Sequence, residues 1–216
     1  MGYTLRMYNN IIFDADGTLL DTLPGIYEGF NLVMKQMNRP PLSEDDIKPF
    51  LGPALVETFS VRLGFSAADT QQALAIYRMF YKERGYRMCT FYPGIPELLD
   101  RLKSAGKTLC VATNKPQPFI DAILKEFGYY DRFTVIAGAS LSESQSDKSA
   151  LVKRAAKAGA KPVMVGDRYI DIEAAKAAGV DSIGVLWGSA ADGEFERYKP
   201  TWIAKNASEL FDIIVK

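Results

Sequence analysis

The sequence predicts an α/β protein: a doubly wound parallel sheet with an all-helical segment inserted after its first strand. Three observations predict it. Short β-branched and apolar runs recur along the chain, nearly continuous in hydrophobicity, as in strands buried on both faces. Helix-length stretches join the later runs, which argues for parallel strands with right-handed crossovers. Between Leu23 and Met88 this rhythm breaks, and helical patterns succeed one another with no strand among them.

The first run is Asn10–Phe13. Next, Leu23–Met37 places Ile26, Phe30, Val33, Met34 and Met37 on one face. Pro53–Leu63 and Ala67–Arg87 are patterned alike, the last rich in Tyr77, Phe80, Tyr81 and Tyr86. Phe91-Tyr92-Pro93-Gly94 reads as a turn-like hinge back into the sheet. The expected organisation is a core of residues 1–20 and 90–216 with a helical unit of residues 21–89. In the core, strands are expected at Lys107–Ala112, Phe133–Ala137, Pro162–Val165 and Ser182–Leu186. Helices are expected at Ile95–Ala105, Pro118–Phe127, Ser149–Ala158 and Ile170–Ala178. Gly106, Gly128, Gly159 and Gly179 close these four, each where a helix end favours a left-handed residue.

Composition narrows the chemistry. With 48% apolar and 24% charged residues, the 216-residue chain has the balance of a globular protein. Its 26 basic and 26 acidic residues cancel, which makes nucleic acid a poor partner. There is no histidine, so no Ser-His-Asp triad, Cys-His dyad or HExxH zinc site can form. Acid–base work near neutral pH falls to carboxylates, lysine, tyrosine or a metal-bound water. Cys89 and Cys110 have no CxxC spacing and are expected to be reduced. Met1–Arg6 lacks a signal-peptide pattern and no apolar run is long enough to span a membrane, so a cytoplasmic protein is expected.

In open α/β sheets ligands bind at the carboxyl ends of the strands. The first run ends in Asp14-Ala15-Asp16-Gly17-Thr18, whose two carboxylates are two residues apart and can face one centre. The second ends in Thr113-Asn114-Lys115, where a hydroxyl and an amide suit an anion. The fourth ends in Gly166-Asp167, with Asp171 four residues on and on the same helix face, a spacing suited to Mg2+. One of these aspartates also suits a helix cap. Lys148 opens a helix against its macrodipole, a placement that a phosphate or a cluster of carboxylates explains. Several carboxylates gathered at one edge from two of these runs would repel without a divalent ion.

These motifs, in this order, resemble the haloacid dehalogenase superfamily in its branch with a helical cap after the first motif. Asp14–Thr18 is similar to the first motif, Thr113 to the second, Lys148 to the third and Gly166–Asp171 to the fourth. DADGTLLDT and AAKAAGVDSIGVLWG further resemble phosphoglycolate-phosphatase-like members. The resemblance implies a Rossmann-like core and an Mg2+-dependent phosphatase acting on a small phosphorylated metabolite through an aspartyl-phosphate. It implies Asp14 as nucleophile and Asp16 as general acid and base, with Lys148, Thr113 and Asn114 on the phosphate. It further implies metal ligation by Asp14, Asp16 (through its backbone carbonyl), Asp167 and Asp171, the last directly or through water. It places a substrate loop at Lys48–Pro53, with Lys48 and Gly52 available for a second anionic group such as a carboxylate. The alternatives are a non-catalytic phosphometabolite-binding protein or, within the family, a pyrophosphatase, nucleotidase or sugar-phosphate mutase. No feature names a protein partner.

Overall fold

The computed structural model describes residues 8–51, 54–141 and 147–216. Six parallel strands form the main sheet: β1 (Asn10–Phe13), β4 (Thr108–Pro116), β5 (Val135–Ala139), β6 (Pro162–Gly166), β7 (Asp181–Val185) and β8 (Trp202–Ala204). Their order is β5-β4-β1-β6-β7-β8, so the chain leaves β1 in one direction and returns on its other side. That reversal opens a crevice at the carboxyl end of β1, between β4 and β6. Phe13 pairs with Val111 on one side and Val165 on the other, which brings the ends of the three strands together.

Alternation along the buried strands divides the core in two. Ile11 and Phe13 face one layer, packing with Leu99, Leu109, Ile120 and Leu210. Ile12, Cys110 and Met164 face the other, where Val152, Ala155, Ala174 and Ala175 cover the sheet. The first layer carries α5 (Ile95–Ser104), α6 (Gln117–Glu126) and α10 (Ala207–Val215); the second carries α7 (Lys148–Ala156) and α8 (Tyr169–Ala178). A short α9 (Glu194–Tyr198) precedes β8. Both cysteines are buried and unpaired.

Two short strands, β2 (Leu20–Asp21) and β3 (Thr90–Phe91), pair antiparallel and form the stem of the helical insertion. Beyond them lie α1 (Leu23–Gln36), α2 (Glu44–Ile47), α3 (Leu55–Glu57), which runs on through a widened turn at Thr58–Arg62, and α4 (Ala67–Glu83). Phe30, Val33, Phe59, Leu74, Tyr77 and Phe80 form a separate apolar cluster among them.

The elements depart from the expected ones at particular points. The helix expected over Ala67–Arg87 stops at Glu83, and a 3-10 turn at Gly85–Arg87 follows. Gly106, Gly128 and Gly179 take left-handed conformations, but Gly159 does not. Instead α7 ends at Ala156 and Lys161 takes the positive φ of 47°. At Gly159 the constraint is space, since a Cβ there would stand 3.2 Å from that of Asn10. Strands β2, β3 and β8 are too short to leave a periodic pattern. Among the described residues no helix is long and apolar enough to cross a membrane.

Candidate active site

Asp14 follows the last residue of β1, and its amide donates to the Val165 carbonyl at 2.9 Å. This bond locks the carboxyl to the rim of the sheet, where it is buried. Asp14, Asp167 and Asp171 each bring a carboxylate oxygen within 4.8 Å of the others. Lys148, the first residue of α7, places its ammonium 3.0 Å from Asp14 and 2.5 Å from Asp171. The helix start is capped by Asp147, which accepts from the Ser149 amide at 2.9 Å. Lys148 is thereby free to point into the site.

Each acid is held by a neighbour. Asp167 accepts from the Ser189 amide at 2.7 Å and from the Thr18 hydroxyl at 3.2 Å. One oxygen of Asp171 accepts from the Arg168 amide at 3.0 Å, capping α8, while the other faces Lys148. Of the two aspartates that suited a helix cap, Asp171 is the one that caps, and it does so with one oxygen only. Glycines make this closeness possible. Gly17, at φ +82°, lies so near Asp167 that a Cβ would fall 2.2 Å from Oδ2. A Cβ on Gly166 would fall 2.1 Å from Cγ of Asp171.

Three carboxylates, if all ionised, against one ammonium would leave two negative charges. Burial, followed by the adjacent Asp171 and Asp14 charges, pushes Asp167 up to about 8. Burial likewise raises Asp14 to about 6, against the opposing pull of Lys148. Burial alone would lower the pKa of Lys148, but Asp14 and Asp171 outweigh it and hold the ammonium above its usual value. Asp14 Oδ1 is buried with no hydrogen-bond partner. An orphaned carboxylate oxygen beside two further carboxylates is a donor set suited to a hard divalent cation.

Asp16 stands apart from this trio. Its carboxylate meets Lys115 at 2.8 Å, and Lys115 is almost wholly buried and also donates to the Tyr81 hydroxyl of α4 at 2.6 Å. For Lys115, burial works against its charge, but Asp16 and Tyr81 prevail and raise the pKa above its ordinary value. Thr113 lies inside β4, not at a helix start; its hydroxyl oxygen accepts from the Lys115 amide at 3.1 Å and its proton is left to donate.

A cavity of about 570 Å3 joins these groups to the helical insertion. Asp14, Asp16, Thr113, Asn114, Lys148, Asp167 and Asp171 all line it. Lys48 does not: it is exposed and pairs with Asp45 at 2.7 Å. Gly52 lies outside the described residues.

Sequence reading missed Lys115, Tyr81, Arg168 and Glu194. Lys115 stands at the same strand end as Thr113, but the register shifts between Thr113 and Pro116, so simple alternation along the strand does not place its side chain. Arg168 reaches Glu194 at 3.2 Å and donates to the Leu51 carbonyl of the insertion. Glu194 also accepts from the Tyr169 amide at 2.5 Å. These contacts join distant segments, and nothing local announces them.

The haloacid dehalogenase-like hydrolase model matches residues 11–185. The chain belongs to that family. It is 39% identical over 184 residues to the tyrosine-protein kinase PtkA of Mycobacterium tuberculosis, covering 82% of this chain and 62% of that protein. It thus spans less than two thirds of the mycobacterial relative. It is 30% identical over 217 residues to a phosphoglycolate phosphatase of Vibrio vulnificus, covering 95% of each. A solved haloacid dehalogenase-like hydrolase from Streptococcus pneumoniae superposes with a TM-score of 0.87 at 27% identity, covering 95% of this chain and 98% of that one.

Proposed function

We propose that the protein is an Mg2+-dependent phosphoric monoester hydrolase that works through an aspartyl-phosphate on Asp14. The observation that carries this reading is the buried Asp14 carboxylate, one oxygen against the Lys148 ammonium and the other without a partner. A carboxylate needs no base to become a nucleophile, which suits a chain without histidine. Its obstacle is the like charge of the phosphate. Asp14, Asp167 and Asp171 would hold Mg2+, with the Asp16 carbonyl as a further oxygen, and the ion supplies charge neutralisation for the phosphoryl group.

The remaining steps belong to side chains. Lys148 neutralises charge on the transferring phosphoryl group, and Thr113 donates its free proton to it with Asn114 beside. Asp16, off the metal cluster but lining the same cavity, meets the leaving oxygen and later takes the proton of the attacking water. Residues 21–89 act as a cap that shields the site from water. The Tyr81–Lys115 and Arg168–Leu51 contacts support that reading by tying the cap to groups at the site. The phosphoglycolate phosphatase and the kinase among the relatives both handle phosphoryl groups by name, consistent with this chemistry.

The test is hydrolysis of an aryl phosphate with and without Mg2+. Activity lost on chelation and abolished in Asp14→Asn is the expected result. A folded Asp14→Asn protein as active as the parent would overturn the mechanism.

A further inference from the structure

Part of the lining that the helical insertion and α6 give the cavity is aromatic. Phe30, Phe50, Tyr77, Tyr81 and Phe119 all line the cavity. Phe30 packs against Phe50 and Tyr77 with centroids 5.4 and 5.3 Å apart, Tyr77 and Tyr81 stack within 11° of parallel, and Phe119 meets Tyr81 edge-on at 5.3 Å. Phe30 and Tyr77 are buried at the back of the lining, and Phe50 and Phe119, both partly exposed, offer stacking and edge contacts to a flat ring.

The cations of the cavity are otherwise engaged. Lys148 is bound to Asp14 and Asp171, Lys115 to Asp16 and Tyr81, and Arg168 to Glu194 and the Leu51 carbonyl. Among the described residues only Arg78 and Lys82 remain on its lining, and both are exposed at the edge, where water screens them. Among the described residues, every other cation on the lining already pairs with an acid, and Lys148 is committed to the phosphoryl group. The carboxylate of a small phosphorylated acid would therefore have to compete with Asp16 or Glu194 for a partner. The volume also suits a ligand larger than a two-carbon acid.

Building on the phosphatase reading above, we propose that the leaving group is a phenol: the protein hydrolyses an aryl phosphate whose ring lies against Phe50, Tyr81 and Phe119. The placement of Lys115 agrees. Its ammonium, 2.8 Å from Asp16, occupies the group that would protonate a leaving oxygen. An alkoxide, about as basic as hydroxide, needs that proton as the bond breaks, whereas a phenolate, with a conjugate acid near pKa ~10, departs with less help. An Asp14 oxygen attacks phosphorus and the phosphorus–oxygen bond to the ring breaks, its electron pair leaving on the phenolate. Water then attacks the aspartyl-phosphate and gives its proton to Asp16, phosphate departs, and the proton passes through solvent to the phenolate.

The experiment compares kcat/KM for phosphotyrosine, acetyl phosphate, glycerol phosphate and phosphoglycolate with Mg2+ present, in the parent and in Phe50→Ala and Phe119→Ala. Both phenylalanines are only partly buried, and thermal melts establish that each variant is folded. Phosphotyrosine is expected to exceed the alkyl substrates at least tenfold and acetyl phosphate by a lower KM. The variants should lose about tenfold on phosphotyrosine and change little on acetyl phosphate. Equal losses on all four substrates, or acetyl phosphate matching phosphotyrosine in KM, would show that the ring is not recognised. Phosphoglycolate or glycerol phosphate as best substrate would overturn the inference and leave the phosphatase reading standing. No turnover of any of the four would end both.

Discussion

Replacing Asp167 by asparagine should stabilise the metal-free protein, although it removes a group of the active site. At pH 7 the folded chain holds a proton on Asp167, pushed up to about 8, that the unfolded chain releases near its ordinary value of 3.8. Retaining that proton costs the fold about 4 kcal/mol. The folded state binds more protons than the unfolded one between these two values, so stability falls as pH rises from 3.8 and levels off above about 8. Asparagine has no proton to lose and still offers an oxygen to the Ser189 amide. Allowing for a weaker bond from a neutral acceptor, the gain near pH 8 should be about 2 kcal/mol. For a chain of this size that is a rise in Tm of about 4–8 °C. Mg2+ should reverse the order, because binding to the native state stabilises the parent and not the variant. Thermal melts followed by circular dichroism, at pH 5 and pH 8, in chelator and in excess Mg2+, check all of this. The reasoning is refuted if Asp167→Asn melts below the parent in chelator at pH 8, or if the parent's Tm is the same at both pH values without metal.

Lys148→Met leaves Asp14 and Asp171 buried without their ammonium, and should cost about 3–5 kcal/mol of stability in chelator by denaturant titration. Lys115→Met frees Asp16 and Tyr81 but leaves the acidic trio intact. By releasing Asp16 to protonate a leaving oxygen, it should raise kcat on alkyl phosphates by about tenfold relative to aryl phosphates while the Mg2+-induced rise in Tm persists; loss of that rise would place Lys115 in the metal site instead. Gly17→Ala combines a left-handed backbone with a Cβ 2.2 Å from Asp167, so at least about 1 kcal/mol of destabilisation and a weaker Mg2+-induced Tm shift are expected.

The sequence by itself determined the layers of the fold and which residues stand at the carboxyl ends of the strands. Strand and helix periodicity are local properties, and Asp14, Thr113 and Asp167 follow apolar runs whose direction puts them on one edge. The break in the rhythm after β2 was equally local, so the helical insertion was legible from its amphipathic faces. Only the tertiary structure decided how the charges divide. Asp14 and Asp16 are two residues apart, yet one joins Asp167 and Asp171 while the other turns to Lys115. That choice rests on Coulomb attraction and hydrogen bonds between segments about a hundred residues apart, which no periodicity records. The same holds for Lys48, which suited a second anion by its place in the chain but pairs with Asp45. The aromatic lining shows the limit most plainly. Phe30, Tyr77 and Tyr81 are positions of an amphipathic helical core in the sequence and remain buried in it, and only packing α1 and α4 over the strand ends makes that core the back of the cavity and brings the Tyr81 hydroxyl to Lys115.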